Sequence, residues 1–490
     1  MLNKWAVSRT LACTLVVALN LGAQDAKTVI GEASKAMGSD NLKTIEYSGT
    51  GAEYVFGQAA SPSSPWPAWE EKSYTRAINY ETPAWRVDRV LAEANPTRRG
   101  GGLALGPTQT VVVTANTPWA NQVDLWMTPY GFLRAAATNN ATVKAQKING
   151  KKYNVITFIG QNKAKVNGYI NDQNMVERVE TWIDNPMTGD TLLDVVYSDY
   201  KDYGGLKFPG KIVQLQGGAA ILNLTVSGVK PNAPVNIQVP QRGGGAGRGG
   251  GGGGPAGGGG EGPANSQKLA DGVYLIGPFL PTYAALAVEF KDYIVLIEAP
   301  QSEGRAVAMM AEAKKVMPNK PIKYVVSTHA HFDHSGGIRA FMAEGVTIIT
   351  HQINKPYYEK LATAPHTLTP DKESQMKKKP IIETMGDKKI LTDGNHVIEL
   401  HRLQGSYHSE GLLVAYLPKE KILVEADGFN PPAQADAAPP NPPNPNHVNL
   451  LENIERLKLD VETIVPVHYP ADGRKVTKAD LVRFVGKKSE

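Results

Sequence analysis

The stretch Thr328-His329-Ala330-His331-Phe332-Asp333-His334-Ser335-Gly336-Gly337 constrains this chain more than any other. Four side chains that bind metals, His329, His331, Asp333 and His334, fall within it, and the strand-like run Ile322-Lys323-Tyr324-Val325-Val326-Ser327 leads in. Spaced H-x-H-x-D-H, they cannot share one face of a helix or a strand. They require a tight loop at a strand end. Gly336 and Gly337 are expected to let that loop pass close to a metal and start a helix without a Cβ clash. Neutral imidazoles with a carboxylate suit Zn²⁺ in a site that keeps a position open for catalysis. The whole chain holds only ten histidines, so such density points to a metal loop rather than a polar turn.

This loop resembles the signature of the metallo-β-lactamase superfamily. The resemblance implies three further ligands, each beside a strand. His408 sits in Gln404-Gly405-Ser406-Tyr407-His408-Ser409-Glu410-Gly411, before the strand Leu412 to Leu417. Asp427 closes the apolar run Ile422-Leu423-Val424, and His468 follows Thr463-Ile464-Val465-Pro466-Val467. The resemblance covers Leu269 to about Arg474 and implies a four-layer αββα sandwich with metals at one edge. It implies that His329, His331 and His408 hold one metal, that Asp333, His334 and His468 hold the second, and that Asp427 bridges them. Two Zn²⁺ per chain would then attack an ester, lactone, thioester or β-lactam carbonyl through a metal-bound hydroxide, with Asp333 orienting the nucleophile and shuttling its proton. Two rival readings are an iron-dependent oxidoreductase on the same fold and a non-catalytic ligand-binding protein.

The chain is 490 residues long, enough for two or three domains. Its net charge of +5 is spread along the sequence rather than gathered in a basic arm. That argues against nucleic acid as the main partner, and the hydrolase reading implies a small-molecule substrate. The only cysteine is Cys13, so no disulfide framework or thiolate metal site is expected. Lys4 and Arg9, the apolar run Leu11 to Leu21 and the small residues Gly22-Ala23 make residues 1–23 a signal peptide, and the protein periplasmic or secreted. No later segment is long and apolar enough for a membrane helix.

The overall class is α+β. Residues 24–241 form a β-rich domain that opens on a short helix over 27–38, with Val29, Ile30, Ala33 and Met37 on one face. Strands such as Val111-Val112-Val113, Tyr153 to Ile159 and Glu177 to Ile183 are separated by turns at Asn149-Gly150, Asn185-Pro186 and Gly204-Gly205, which predicts an antiparallel sheet. The hairpin Tyr197 to Gln214 resembles the last hairpins of outer-membrane lipoprotein carrier folds. That implies a groove for a lipid or acyl tail, against the plainer reading of strand aromatics as core. Residues 242–263 are a Gly-rich linker, a tether too poor in apolar residues to fold. Residues 264–490 are the hydrolase domain, expected to fold without the part before it.

In that domain, strands are expected at Val273 to Ile276, Ala284 to Phe290, Tyr293 to Ile297 and Val346 to Ile349, with helices over Ser302 to Val316 and near Ile338 to Ala343. Lys377-Lys378-Lys379 reads as a solvated run, or as a lure for an anionic substrate. The Pro-rich loop Asn430 to Asn446 should lie near the pocket mouth. The helix Val448 to Leu457 should pair Glu452 with Arg456 on its outer face. His351, His366, His396, His401 and His447 lack a second ligand at useful spacing, and His351 is the best of them for supporting a ligand. Tyr407 and Tyr469 flank His408 and His468, where either can donate to a developing oxyanion or simply pack.

Overall fold

The computed structural model describes residues 25–94, 99–102, 106–113, 119–161, 163–237, 263–277, 283–299, 301–470 and 472–486. The expected signal segment 1–23 and residues 242–262 of the Gly-rich stretch lie outside them.

The first helix, Ala26–Met37, starts where the Asp25 carboxylate accepts the Thr28 amide and ends at Gly38, whose φ of 68° closes it in the left-handed region. It buries Val29, Ile30, Ala33 and Met37, the face read from the sequence. Eleven antiparallel strands follow among the described residues, running from the edge strand Gly106–Val113 to Thr142–Ile148 at the other edge. The expected hairpin is present as Gly189–Tyr203 paired with Leu206–Gln216. Two helices, Trp119–Trp126 and Pro129–Thr138, were not expected. The second is started by Thr128, whose hydroxyl accepts the Gly131 amide, with Pro129 in its first turn. Its Tyr130 and Phe132 look like strand residues in isolation, yet both are buried in the core between helices and sheet. Tyr47, Tyr74, Phe158 and Phe208 fill the same core, so the strand aromatics are packing residues.

Residues from Asn265 onward form two face-to-face sheets. The first has seven strands in the order Asn265–Ala270, Val273–Gly277, Ala285–Glu289, Ile294–Ile297, Ile322–Val326, Thr347–His351, Ile382–Met385. Its pairings are parallel from Ile294–Ile297 onward. All four residues of Ile294–Ile297 are buried, as a parallel central strand requires. The second sheet has six strands, Lys388–Thr392, Val397–Arg402, Leu413–Leu417, Ile422–Glu425, Thr463–Pro466 and Val476–Thr477. Leu275, Leu286, Val295 and Ile297 of one sheet meet Ile398, Leu413, Ile422 and Val424 of the other. Full burial of each such side chain is worth about 1.5–3 kcal/mol. Glu303–Val316 and Ile338–Glu344 cover the outer face of the first sheet, and Pro445–Leu457 and Lys478–Val485 that of the second. This is the αββα sandwich, and with the β-rich domain it makes the chain α+β.

One local expectation needs correction. The late helix starts at Pro445, capped by Asn444, and Arg456 donates to Asn453 Oδ1 at 2.8 Å rather than pairing with Glu452. Lys377, Lys378 and Lys379 are exposed, Lys377 closing the helix Lys372–Met376 with φ 52°. The Pro-rich loop is tied down by Arg474 on the Pro432 carbonyl and Arg483 on the Ala435 carbonyl, at 2.5 and 2.8 Å. No helix among the described residues is long and apolar enough to cross a membrane.

Candidate metal centre

The seven side chains singled out in the sequence meet at one edge of the sandwich. His329 and His331 leave the end of strand Ile322–Val326, and the one-turn helix Phe332–Ser335 presents Asp333 and His334. His408 comes from the loop before Leu413–Leu417, Asp427 from the end of Ile422–Glu425, and His468 from the end of Thr463–Pro466. They form two groups able to hold a metal ion: His329, His331, His408 and Asp427, and Asp333, His334, Asp427 and His468. Asp427 belongs to both. Its Oδ2 lies 2.7 Å from His334 Nε2 and 3.2 Å from His408 Nε2, while Oδ1 lies 3.1 Å from His468 Nε2.

Asp427 sits at φ 60°, a conformation Asp tolerates better than most residues. Its turn is held from beneath by Glu425, whose Oε2 accepts the Gly428 amide at 2.8 Å and the Phe429 amide at 3.0 Å. Burial pushes the Glu425 carboxyl up to about 8. A second buried acid, Glu298, follows strand Ile294–Ile297 at φ 89°. Its Oε2 meets His334 Nδ1 at 2.9 Å and its Oε1 accepts the Thr328 amide at 2.9 Å. With Nδ1–H donated to a carboxylate, the Nε2 lone pair of His334 faces the centre. Gly336 and Gly337 do allow a close approach, but to the chain rather than to the metal position. Their φ angles are −60° and −92°, and a Cβ would sit 2.3 Å from the Gln301 carbonyl oxygen and 2.7 Å from Ala306 Cβ.

Two observations suit this donor set to divalent cations. His331 Nδ1 is buried with no hydrogen-bond partner. The Nε2 atoms of His329 and His408 face each other at 3.1 Å, as do those of His334 and His468, and shared cations satisfy such converging lone pairs. The electrostatics agree. Burial, with His408 next, holds His331 down to about 3. Burial also pushes His468 down, but Asp427 and Asp333 more than offset it and keep the group at about 9. Burial raises Asp427, yet His468, His408 and His334 around it hold the carboxyl well below its usual range. The two carboxylates draw positive charge to this point.

Residues 269–468 match the family model of the metallo-beta-lactamase superfamily. They are a metallo-beta-lactamase superfamily domain. The match falls within the two-sheet half of the chain and takes in all seven converging residues. Among solved structures, a metallo-beta-lactamase from Pontibacter korlensis is 20% identical, covering 46% of this chain and 97% of its own with a TM-score of 0.34. A metallo-beta-lactamase from Hirschia baltica gives the same identity, coverage and TM-score. A rubredoxin oxygen:oxidoreductase from Desulfovibrio gigas is 17% identical, covering 45% of this chain and 61% of its own, also at 0.34. No curated protein matches. The superfamily match makes this half of the chain a metal-dependent hydrolase domain.

Several residues at this centre escaped the sequence reading. Tyr283 is one. Its hydroxyl donates to Asp333 Oδ2 at 2.8 Å and lies 3.2 Å from His468 Nε2, its ring edge-on to His468. Burial, with Asp333 and Asp427 nearby, keeps that phenol protonated. The two tyrosines weighed from the sequence lie elsewhere. Tyr407 is exposed, and Tyr469 packs against the inter-sheet core. His351 serves as a helix cap. Its Nδ1 accepts the Ile353 amide and caps the short helix Gln352–Asn354. His401 pairs with Glu399 and His396 with Glu420, while His366 lies 3.9 Å from both Asp184 and Asp371, and His447 packs on Phe429.

The β-rich domain reaches this centre. Gln58 Nε2 donates to Asp333 Oδ1 at 2.8 Å, and the Ala59 carbonyl oxygen lies 2.8 Å from His331 Nε2. A second contact lies away from the centre. Asp190 accepts the Thr367 and Leu368 amides at 3.0 Å and the Thr367 hydroxyl at 2.5 Å.

Proposed function

We propose that the chain is an exported dinuclear zinc hydrolase that opens an ester, lactone, thioester or β-lactam carbonyl. The observation that carries this reading is the place of Asp427, whose one carboxylate touches imidazoles of both ligand groups. His329, His331 and His408 would hold one ion, Asp333, His334 and His468 the other, with Asp427 common to both. Zn²⁺ held there would supply an activated water near neutral pH and a Lewis acid for the carbonyl.

The chain's own residues do the rest. Asp333, fixed on one oxygen by Gln58 and on the other by Tyr283, orients the attacking water and takes its proton. Glu298 and Thr328 keep His334 and His329 turned inward, the latter through a 3.0 Å contact to His329 Nδ1. Export rests on the signal-like residues 1–23. The test is purified full-length protein assayed for metal content and screened against lactam, lactone, thioester and ester panels. About two zinc per chain with turnover on one panel is the expected result. Iron in place of zinc with redox but no hydrolytic turnover would overturn it.

A further inference from the structure

The turn that follows strand Thr44–Tyr54 in the β-rich domain is wedged between the two loops that carry most of the centre's histidines. On one side lies the loop His329 to His334. The Gly57 carbonyl accepts the Phe332 amide at 3.2 Å, and Phe56 and Trp66 close on the Phe332 ring at 5.1 and 6.5 Å between centroids. On the other side lies the loop of His408. The Ala60 carbonyl accepts the Glu410 amide at 2.7 Å, and the Tyr407 carbonyl accepts the Gly100 amide at 2.9 Å. Within the wedge, the Gln58 carbonyl takes the Gly101 amide at 2.9 Å. Gly57 has φ 81°, and a Cβ there would fall 2.4 Å from Phe332 Cγ. The fit leaves no room for a side chain.

Two of these contacts reach ligand-type groups directly. A carbonyl oxygen only accepts, so His331 must carry its proton on Nε2, facing Ala59. The lone pair then lies on Nδ1, the ring nitrogen that is buried and without a partner. Gln58 offers a donor to Asp333 Oδ1 and Tyr283 a donor to Oδ2, so one half of the chain grips each oxygen of that carboxylate.

We propose that the β-rich domain completes the metal centre, the Ala59 carbonyl selecting the metal-binding tautomer of His331 and Gln58 acting as a positioning residue for Asp333. The proposal rests on the reading of these side chains as metal ligands. Contacts one step out from a ligand set its orientation and basicity, and their loss typically weakens metal binding about 10- to 100-fold.

The test uses the full-length chain, with zinc affinity measured by chelator competition, folding by circular dichroism, and kcat and KM on whichever panel compound the parent turns over. Gly57→Ala drives a methyl into Phe332 and lifts the turn. It should weaken zinc binding about 10- to 100-fold with the spectrum unchanged. Gly150→Ala is the control, since φ is 84° there but nothing lies within 4 Å. It should keep zinc affinity within about twofold. Gln58→Leu removes the donor without touching the backbone, and should lower zinc affinity about tenfold and kcat with it, leaving KM near the wild-type value. If Gly57→Ala unfolds, Gln58→Leu decides alone. Wild-type zinc affinity and kcat in Gln58→Leu, with zinc still taken up by the parent, overturn this proposal and leave the hydrolase reading standing. A parent that takes up no zinc removes both.

Discussion

Glu298 binds two parts of the histidine loop at once, its Oε2 on His334 Nδ1 and its Oε1 on the Thr328 amide, each at 2.9 Å. Glu298→Gln keeps the shape but turns one oxygen into a donor. Either the Thr328 amide or His334 then loses its acceptor inside a fully buried site. We expect about 1–3 kcal/mol of lost stability and zinc binding weakened about 10- to 100-fold. Thermal unfolding and chelator competition read the two effects separately.

Asp427→Asn tests the shared carboxylate. Asn accepts left-handed backbone as readily as Asp, so the turn at φ 60° is not strained by the change. The charge between the histidines is lost, and one of the two oxygens facing them becomes a donor. Metal content should fall from about two per chain towards one, with turnover down by orders of magnitude and circular dichroism unchanged. Asp436→Asn, on the exposed Pro-rich loop, should be silent. Two retained metals with full turnover would mean that Asp427 does not bridge.

Tyr283→Phe removes one hydroxyl and keeps the ring against His468 at 4.5 Å. Asp333 then loses one of its two donors and is fixed only through Gln58. A fall in kcat of about 10- to 100-fold, with KM and metal content near the parent values, is expected from steady-state kinetics and elemental analysis. Unchanged kcat would make the hydroxyl a bystander.

Asp184 gives a pH-dependent test away from the metals. Burial pushes its carboxyl up to about 6, and the Asp190 and Asp371 charges add to this. A folded pKa above the unfolded value of about 4 means that the acid's contribution is intact below pH 4 and is lost as pH rises through 6. Asp184→Asn mimics the protonated form. It should therefore match the parent near pH 4 and exceed it by about 1 kcal/mol at pH 8, the side chain being one-third exposed. Thermal melts at the two pH values measure the difference, and an equal gain at both would reject this account.

The parts of the centre legible in the sequence were those announced by local context. Four ligand side chains crowd into H-x-H-x-D-H, and Asp427 and His468 each end an apolar run. Glu298 carries the same signal, an acid closing the apolar strand Ile294–Ile297, and was open to the same argument. Gln58 and Ala59 were not. Ala59 acts through its carbonyl, which every residue has, and both reach partners more than 270 positions away. The mixed strand-helix order was legible because the strands are short apolar runs, while the four-layer form came from the resemblance carried by the histidine loop. The helices Trp119–Trp126 and Pro129–Thr138 were not, because their aromatic residues suit a strand equally well until the rest of the core surrounds them. Gly336 and Gly337 were recognised as sites of close approach, but a sequence does not say what comes close.

The grip of Gly57, Gln58 and Ala59 on the histidine loop also bears on how such a chain can change by descent. Position 57 combines φ 81° with the Phe332 ring 2.4 Å from where a Cβ would sit, so a smaller residue at 332 would not by itself admit a side chain, and glycine should persist at 57 among relatives that keep both halves. Shuffling this C-terminal half onto a foreign N-terminal partner would separate His331 from the carbonyl that sets its tautomer. The two halves should therefore be inherited as a pair.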